Sequence, residues 1–330
     1  MAENSIPSTG LAGRNSPTAH LTYVLITAAR NEEAFIEETI KSVLAQTVQP
    51  LKWIIVSDGS TDSTGEIVKR YATKHEWIEL LRMPEHRLRH FGAKADCVNE
   101  GCRRVKNLAY DIVGNVDADT LFEADHFEFL LEKFASDPIL GVAGTPFVEE
   151  GATYDYRFAS VGHVSGPCQL FRRACFEEIG GYVAIKQGVD LVAVLTARMK
   201  GWKTKSFREK TYVHRRRMGT ANQNVMVAAF KHGQSDYFLG GHPIWEIVRS
   251  VFQMSKRPLI LGGCMLLAGY LSAMIRGAKM LVSSELVKFR RREQMDRLKG
   301  LIKRWIGIDV PEEDPVESPR TVRKGKGVAH

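Results

Sequence analysis

The sequence predicts an α/β protein in which a mostly parallel, Rossmann-type sheet is flanked by helices. Short apolar runs alternate with helical stretches of about ten to fifteen residues, which is the pattern of βαβ units. Polar clusters follow three of these runs, and the carboxyl ends of parallel strands meet at one edge of a sheet. Hydrophobic residues make up 44% of the chain, which suits a sizeable core.

Five apolar runs are predicted as strands, because each is short and bounded by turn residues. In chain order they are Tyr23–Thr27, Leu51–Ser57, Ile78–Met83, Asp111–Val116 and Leu140–Val148. The polar clusters that follow the first, second and fourth strands are Thr27–Glu33, Asp58–Thr64 and Asp117–Asp119. We therefore expect these three clusters to converge on one site.

Helices are predicted between the strands. In Glu32–Gln46 the apolar residues Phe35, Ile36, Ile40 and Val43 recur at helical spacing. The other predicted helices run from the Asp58–Thr64 turn to about His75, over Gly92–Val105 and over Ala124–Ser136.

Composition and motifs exclude several classes of protein. The five cysteines show no C-x-x-C spacing, which excludes a disulfide framework and a zinc ribbon and suits a reducing compartment. The chain has neither a G-x-x-x-x-G-K-[ST] loop nor a G-x-G-x-x-G turn after the first strand. This argues against a P-loop NTPase and a dinucleotide-dependent dehydrogenase.

Charge and hydropathy divide the chain into four predicted parts. Residues 1–20 are polar and have no apolar core of a signal peptide, so they are predicted to be a disordered lead-in. Residues 21–218 form the predicted catalytic domain, 219–306 a helical, membrane-associating region, and 307–330 a disordered basic tail.

The net charge of +8 lies mostly near the C-terminus, since residues 276–330 carry 14 Lys or Arg and 8 Asp or Glu, a net of +6. No aromatic-interleaved basic stripe or nucleic-acid motif accompanies it, so we expect no nucleic-acid partner. A basic tail beside an apolar segment favours an anionic membrane surface, and a merely solvated tail is the alternative.

Two carboxylates, Asp117 and Asp119, follow the fourth strand directly. Oxygen ligands at this spacing can share Mg²⁺ or Mn²⁺ with a diphosphate. Asp58 can accept a hydrogen bond from a base or ribose, and Lys94 can pair with a phosphate. The alternatives are an Asp-rich turn that caps the next helix, an Asx-turn at Asp58 and an exposed lysine.

The motifs YVLITAARNEEAFIEETIKSVLAQT, IIVSDGSTDSTGEIV, GAKADCVNEG, GNVDADT and CQLFRRACFEEIGGY together resemble glycosyltransferase family 2, from about Tyr23 to His214. The resemblance implies the GT-A fold of nucleotide-diphospho-sugar transferases, a divalent cation and an inverting mechanism. It also implies roles for individual residues. Those matching nucleotide-binding positions are Thr27, Glu32, Asp58, Lys94 and Asp117, and the metal ligands are Asp119 and Asp117.

The same resemblance implies a catalytic base at Asp190, which stands eleven residues before the pair Gly201-Trp202. The family's Glu before the base is Val189 here, and its Arg six residues after the base is Thr196. His214 and Arg217 fall on the diphosphate or acceptor side. The string His214-Arg-Arg-Arg-Met lacks the Gln and Trp of the processive Q-x-x-R-W motif, which indicates one sugar added per encounter.

An uncharged run of 18 residues, Pro258–Ile275, lies between basic amphipathic stretches at 242–257 and 291–305. As a helix it would measure about 27 Å, against about 30 Å of hydrocarbon. A single span would export the basic tail, against the positive-inside rule. We therefore predict monotopic or re-entrant attachment at the cytoplasmic face of a membrane, where nucleotide sugars are found. A single span and a buried core helix remain the alternatives.

The sequence thus predicts a non-processive inverting glycosyltransferase that moves a sugar from a nucleotide-diphosphate donor to a hydroxyl of a lipid-linked or polysaccharide acceptor. Two alternatives remain open. A sugar nucleotidyltransferase would normally carry a Gly-rich loop after the first strand, and Ala28-Ala-Arg30-Asn31 has no glycine. A non-catalytic membrane scaffold of the same fold would explain the departures at Val189 and Thr196.

Overall fold

The computed structural model of the chain describes residues 21–84, 92–149, 162–216, 225–256, 258–305 and 307. The predicted lead-in at 1–20 lies outside the described residues. So does the predicted tail at 307–330, apart from Gly307.

A seven-stranded sheet forms the centre of the molecule, in the order β3-β2-β1-β4-β8-β6-β9. Its strands are β1 (Tyr23–Ala29), β2 (Lys52–Ser57), β3 (Ile78–Arg82), β4 (Ile112–Val116), β6 (Leu140–Gly144), β8 (Cys168–Arg172) and β9 (Lys203–Ser206). Every strand but β8 runs in the same direction. The predicted mostly parallel α/β sheet is therefore confirmed, with one antiparallel strand that the sequence pattern did not reveal.

Among the described residues, six helices cover the sheet: α1 (Ile36–Leu44), α2 (Thr64–Ala72), α3 (Ala93–Val105), α4 (His126–Ser136), α5 (Arg173–Glu178) and α6 (Val189–Met199). Successive residues of a strand point to opposite faces. Leu25 of β1 accordingly packs in one buried cluster with Ile36 and Phe127, whereas Val24 packs in another with Val98 and Val194.

The two predicted elements that differ most in length from the structure are each shortened for a local reason. Helix α1 begins at Ile36 rather than Glu32, because the Glu32 carbonyl accepts from the N–H groups of Phe35 and Ile36 and Asn31 has φ 54°. The strand predicted over Leu140–Val148 ends at Gly144, two residues before Pro146, which has no N–H to donate. The chain then enters a second sheet.

That second sheet is small and has the order β5-β10-β7, with β5 at Thr120–Leu121, β7 at Phe147–Glu149 and β10 at Tyr212–His214. In its register His214 stands opposite Thr120 on one side and Glu149 on the other. This pairing brings a residue distant in sequence beside the turn that follows β4.

Four helices follow the sheet: α7 (Val225–Phe238), α8 (Pro243–Met254), α9 (Leu261–Ile275) and α10 (Ser284–Trp305). Helices α7 and α9 touch backbone to backbone, since a Cβ on Gly233 or Gly269 would collide with a carbonyl of the other helix. In the part of the chain that is described, no helix combines the length and the apolar character needed to cross a bilayer.

The C-terminal helices pack directly on α6. Val192 and Leu195 of α6 form a buried cluster with Leu239 and with Leu286 of α10. Arg198 at the end of α6 also donates to Glu293 of α10, with Nε to Oε1 at 2.7 Å. Helix α6 therefore lies between the sheet and the C-terminal helices.

Candidate active site

A cleft of about 500 Å³ opens at the carboxyl ends of β1, β2 and β4. Its walls come from the turn after β1, the end of β2, the turn after β4 and the first turns of α3. The five predicted site residues that line it are Glu32, Asp58, Lys94, Asp117 and Asp119. The expected convergence of separate polar segments on one edge of the sheet is therefore found.

Three predicted site residues that the structure describes, Thr27, Asp190 and His214, are not in the lining of this cleft. Thr27 is fully buried in β1, and its hydroxyl accepts a hydrogen bond from the indole Nε1 of Trp53 at 3.0 Å. Its side chain is thus engaged in the core instead of facing a nucleotide. Arg217 lies outside the described residues, and its neighbour Arg216 lines the cleft together with Arg30.

The turn that carries the two aspartates is held on both sides. The N–H of Asp117 donates to the carbonyl of Pro167 at 2.9 Å, and the Thr120 hydroxyl donates to the carbonyl of Asp117 at 2.7 Å. The carbonyl of Ala118 accepts from the hydroxyl of Thr39 in α1 at 2.7 Å. The orientation of both carboxylates is therefore fixed by the backbone between them.

Asp117, Asp119 and His214 form the one metal-ligating group found among the described residues, with one ligand atom from each within 4.8 Å of the others. His214 Nε2 lies 3.4 Å from Asp119 Oδ1, and His214 Nδ1 lies 2.9 Å from Glu149 Oε1. Two carboxylates and one imidazole suit Mn²⁺ and also allow Mg²⁺. The donor set therefore fits the predicted divalent cation.

Glu149 is a member of this site that the sequence analysis missed. It is buried at the end of β7 and bonds the imidazole nitrogen that faces away from the aspartates. Burial alone would lower the pKa of His214, but its hydrogen bonds to the carboxylates of Asp119 and Glu149 raise it overall. Only the pairing of β7 with β10 could have revealed Glu149, and no sequence pattern encodes that pairing.

Lys94 supplies positive charge next to the aspartates. Its Nζ lies 2.5 Å from Asp117 Oδ1. Burial raises the pKa of Asp117, and Lys94 opposes this rise. For Lys94 itself, burial favours the neutral amine, but Asp117 and more distant carboxylates outweigh it and raise the pKa. Lys94 is therefore a stable cation at the place where a bound diphosphate would need one.

Arg216 pairs with Glu32 across the mouth of the cleft. The guanidinium donates to both carboxylate oxygens, at 3.0 Å and 2.6 Å, and stacks over the ring of Phe35. Its Nε is also 4.0 Å from Asp119 Oδ2. Burial raises the pKa of Glu32, and Arg216 opposes the rise. The run of three arginines in the sequence did not show that Arg216 lines the cleft.

Asp190 borders the site at the first turn of α6 without lining the cleft. Gly188, with φ 72°, precedes the helix in a left-handed conformation that favours glycine. The Asp190 carboxylate packs against Gly166 and is close enough to Lys94 to raise the pKa of that amine. The predicted base therefore lies on the same side of the sheet as the predicted metal ligands.

The chain is similar in sequence to known proteins. A profile of the family described as Glycosyl transferase family 2 matches residues 24–183. The poly-beta-1,6-N-acetyl-D-glucosamine synthase of Staphylococcus aureus (strain COL) is 27% identical over 205 residues, covering 56% of this chain and 47% of that protein. The synthase of that name from Staphylococcus epidermidis is 27% identical over 173 residues, covering 46% and 40%. The chain thus spans about half the length of the curated relatives it matches.

Solved structures share the fold. Mannosyltransferase PcManGT from Pyrobaculum calidifontis, in complex with GDP-Man and Mn²⁺, aligns with a TM-score of 0.53 at 18% identity, over 88% of this chain and 85% of that one. TarS 1-349 of Staphylococcus aureus, in complex with UDP-GlcNAc, aligns with a TM-score of 0.51 at 14% identity, over 86% and 81%. The likeness establishes an α/β fold of the GT-A type.

Proposed function

We propose, from the match of residues 24–183 to the profile of glycosyl transferase family 2, that the chain belongs to this family and transfers a sugar from a nucleotide-diphosphate donor to an acceptor hydroxyl. The observation that carries this proposal is the meeting of Asp117, Asp119 and Lys94 in one cleft, with His214 close enough to both aspartates to share a metal ion with them. These residues come from three separate segments of the chain. Their oxygens, imidazole and amine are the groups that a cation-bound diphosphate requires.

The proposed cation would be held by Asp117, Asp119 and His214. When bound, a divalent cation stabilises the negative charge that develops on the leaving diphosphate. Glu149 fixes the ring of His214, and Lys94 places a second positive charge at Asp117. Arg216 lies within reach of the same region through its contact with Asp119.

Asp190 is the proposed base. An acceptor hydroxyl is a poor nucleophile until a base removes its proton, and such assistance is worth roughly 10²–10⁴ in rate. The position of Asp190 beside Lys94 and Gly166 supports this role. A base on the face of the sugar opposite the diphosphate gives one in-line displacement with inversion.

The proposed donor is a nucleotide-diphospho-sugar, and the pathway is the synthesis of a glycan. Structural neighbours are seen with GDP-Man and with UDP-GlcNAc, and the curated relatives are named as synthases of a poly-N-acetylglucosamine. The missing Q-x-x-R-W motif supports transfer of single sugars.

A panel of nucleotide sugars with Mn²⁺ tests the proposal, first by thermal shift and then by analysis of the products. Release of a nucleoside diphosphate that stops with EDTA and with Asp119→Asn supports a glycosyltransferase. Release of pyrophosphate would instead support a nucleotidyltransferase. A protein that binds a nucleotide sugar but releases neither product, with Mn²⁺ and a range of acceptors, would be the scaffold.

We also propose that the C-terminal helices attach the protein to the cytoplasmic face of an anionic membrane, which would favour a lipid-linked acceptor. Helix α8 has its polar and apolar faces reversed relative to a helix in water. The polar residues Glu246 and Ser250 are fully buried, while the apolar residues Ile247 and Val251 are 48% and 60% exposed. Contiguous exposed apolar surface of this kind marks an interaction site. The start of α9 and the two residues before it add Leu259, Ile260 and Leu261, which are all more than half exposed.

Sedimentation with vesicles tests this attachment. We expect binding to vesicles that contain phosphatidylglycerol, weaker binding to neutral vesicles, and a loss of about tenfold or more in Ile247→Ser/Val251→Ser. Ile139→Ser is the matched control, since Ile139 is 61% exposed in the turn before β6. Native protein that stays in the supernatant with both kinds of vesicle would contradict the attachment.

A further inference from the structure

Gly166 lies directly against the side chain of Asp190. A Cβ placed on Gly166 would stand 2.9 Å from Cγ and 3.1 Å from Cβ of Asp190, and closer still to Oδ2. All three nearest heavy atoms belong to Asp190. Gly166 does not have a positive φ, so its backbone does not require glycine. The missing side chain therefore matters for one neighbour, the Asp190 carboxylate.

The backbone at Gly166 is hydrogen-bonded to the segment that carries the predicted metal ligands. Its carbonyl accepts from the Nδ2 of Asn115, a buried residue of β4, at 3.0 Å. The next carbonyl, that of Pro167, accepts from the N–H of Asp117 at 2.9 Å. One short segment thus touches the backbone of a predicted metal ligand on one side and the carboxylate of the predicted base on the other.

Gln169 fixes the start of α6 by a second route. Its side chain is fully buried, and its Nε2 donates to the carbonyl of Val164 at 2.8 Å and to that of Asp190 at 3.4 Å. Its Oε1 accepts from the hydroxyl of Tyr182 at 2.5 Å. A buried amide with donors and acceptor all paired has one orientation, so it holds the Asp190 backbone in one place.

We propose that Gly166, Gln169 and Tyr182 are positioning residues that set the distance between the Asp190 carboxylate and the Asp117 turn. The proposal rests on the proposed function, in which Asp190 is the base. Gly166 leaves the space that the carboxylate occupies, and the Tyr182–Gln169 pair holds the carbonyl of the same residue. Displacing a catalytic group by about 1 Å can lower the rate by about 10²-fold. The three positioning residues should therefore affect the rate of transfer.

Gly166→Ala tests the first contact. The new methyl meets the flexible end of Asp190, so we expect kcat for donor turnover to fall about 10²-fold while the donor KM and the melting temperature stay unchanged. Gly65→Ala is the matched control, because its Cβ would meet the end of the Arg82 side chain at 2.9 Å, away from Asp190. This control should keep native kcat.

Tyr182→Phe tests the second contact and does not depend on the glycine variant folding. It removes the hydroxyl that orients Gln169 and keeps the ring, which packs against Phe171 and Phe176. We expect kcat to fall about tenfold at constant KM. Tyr23→Phe is the control, since it also removes a buried hydroxyl that donates to a carbonyl, that of Val48, at 2.7 Å.

Asp190→Asn distinguishes a failure of the positioning role from a failure of the base assignment. If Asp190→Asn abolishes turnover while both Gly166→Ala and Tyr182→Phe keep native kcat, the positioning role is wrong and the base assignment stands. The same holds if the two variants change only KM, or if they lose stability in proportion to activity. If Asp190→Asn itself keeps native kcat, the base assignment in the proposed function fails.

Discussion

Lys94 Nζ lies 2.5 Å from Asp117 Oδ1, so the first turn of α3 is bonded to the turn that follows β4. This contact joins a cation to a carboxylate that burial would otherwise tend to neutralise. It also places that cation beside the proposed metal ligands. The Lys94–Asp117 ion pair therefore both favours the ionised form of Asp117 and joins α3 to the turn after β4.

Lys94→Gln should lower kcat/KM for the donor by about 10²–10³, the usual cost of removing a charge-stabilising donor from a closed site. The amide keeps a hydrogen-bond donor but is one atom shorter than the lysine side chain and carries no charge. Lys106→Gln, at the end of α3, is the control. Steady-state kinetics of donor turnover measure the effect, and equal kcat/KM in the two variants would contradict a role for Lys94.

Glu149→Gln should weaken binding of Mn²⁺ by about 10- to 100-fold, as expected when the residue that orients a ligating imidazole is changed. The Gln side chain can donate where Glu149 accepts, so the tautomer of His214 is no longer fixed. Mn²⁺ titration by calorimetry gives the dissociation constant. Glu209→Gln, which changes an exposed partner of Lys133, should leave that constant unchanged.

Arg216→Ala should raise the donor KM by about tenfold, because the Glu32 carboxylate then lies unpaired near Asp119 and repels the diphosphate. An interaction of about 1.4 kcal/mol corresponds to this factor. Arg215→Ala is a close control, since Arg215 pairs with Glu38 of α1 and not with a residue of the cleft. A KM that rises equally in both variants would point to general charge and not to this pair.

Glu246 predicts a dependence of stability on pH. Burial raises the pKa of its carboxyl to about 8, and the neighbouring Asp236 carboxylate adds to the rise. The charged or titratable groups that act on this pair are Arg249, Tyr270 and Arg290. The folded state favours the neutral Glu246 carboxyl. The stabilisation that this carboxyl contributes is therefore complete below the pKa of a glutamate in the unfolded chain, about 4.3. It is lost as pH rises towards 8.

Glu246→Gln should remove this loss. We expect the variant and the native protein to have similar melting temperatures near pH 4. At pH 8 the variant should melt at a higher temperature, because its free energy of unfolding is larger by about 1–3 kcal/mol. Thermal unfolding at several pH values measures it. Glu285→Gln, on an exposed position of α10, should follow the native profile. Parallel native and Glu246→Gln profiles would show that Glu246 is ionised in the folded protein.

Gly233→Ala should destabilise the protein by about 1–3 kcal/mol, since its methyl would overlap the backbone of Leu266 and Tyr270 in α9. Gly300→Ala in α10 meets no atom within 4 Å and should be stabilising by up to about 1 kcal/mol through helix propensity. Denaturant unfolding compares the two variants. Equal effects would mean that α7 and α9 can move apart at little cost.

The sequence predicted those parts of the fold and site that depend on local pattern. Apolar runs and helical spacing located the parallel strands, and the strand ends located Asp58 and Asp117. Strand β8 and the partner of His214 depend on pairing between distant segments, which no local pattern encodes. Thr27 was assigned by resemblance alone, and strand alternation points its side chain at the buried Trp53.

Helix α6, which begins beside Asp190, is clamped between the central sheet and the final helices through Leu239, Leu286 and the Arg198–Glu293 pair. A minimal catalytic fragment cut after β10 would uncover the apolar flank of α6 and leave Arg198 without that carboxylate. Such a fragment should aggregate, or it should leave the proposed base, Asp190, less precisely positioned. Biochemical work on the transfer reaction is therefore best done with the C-terminal third in place.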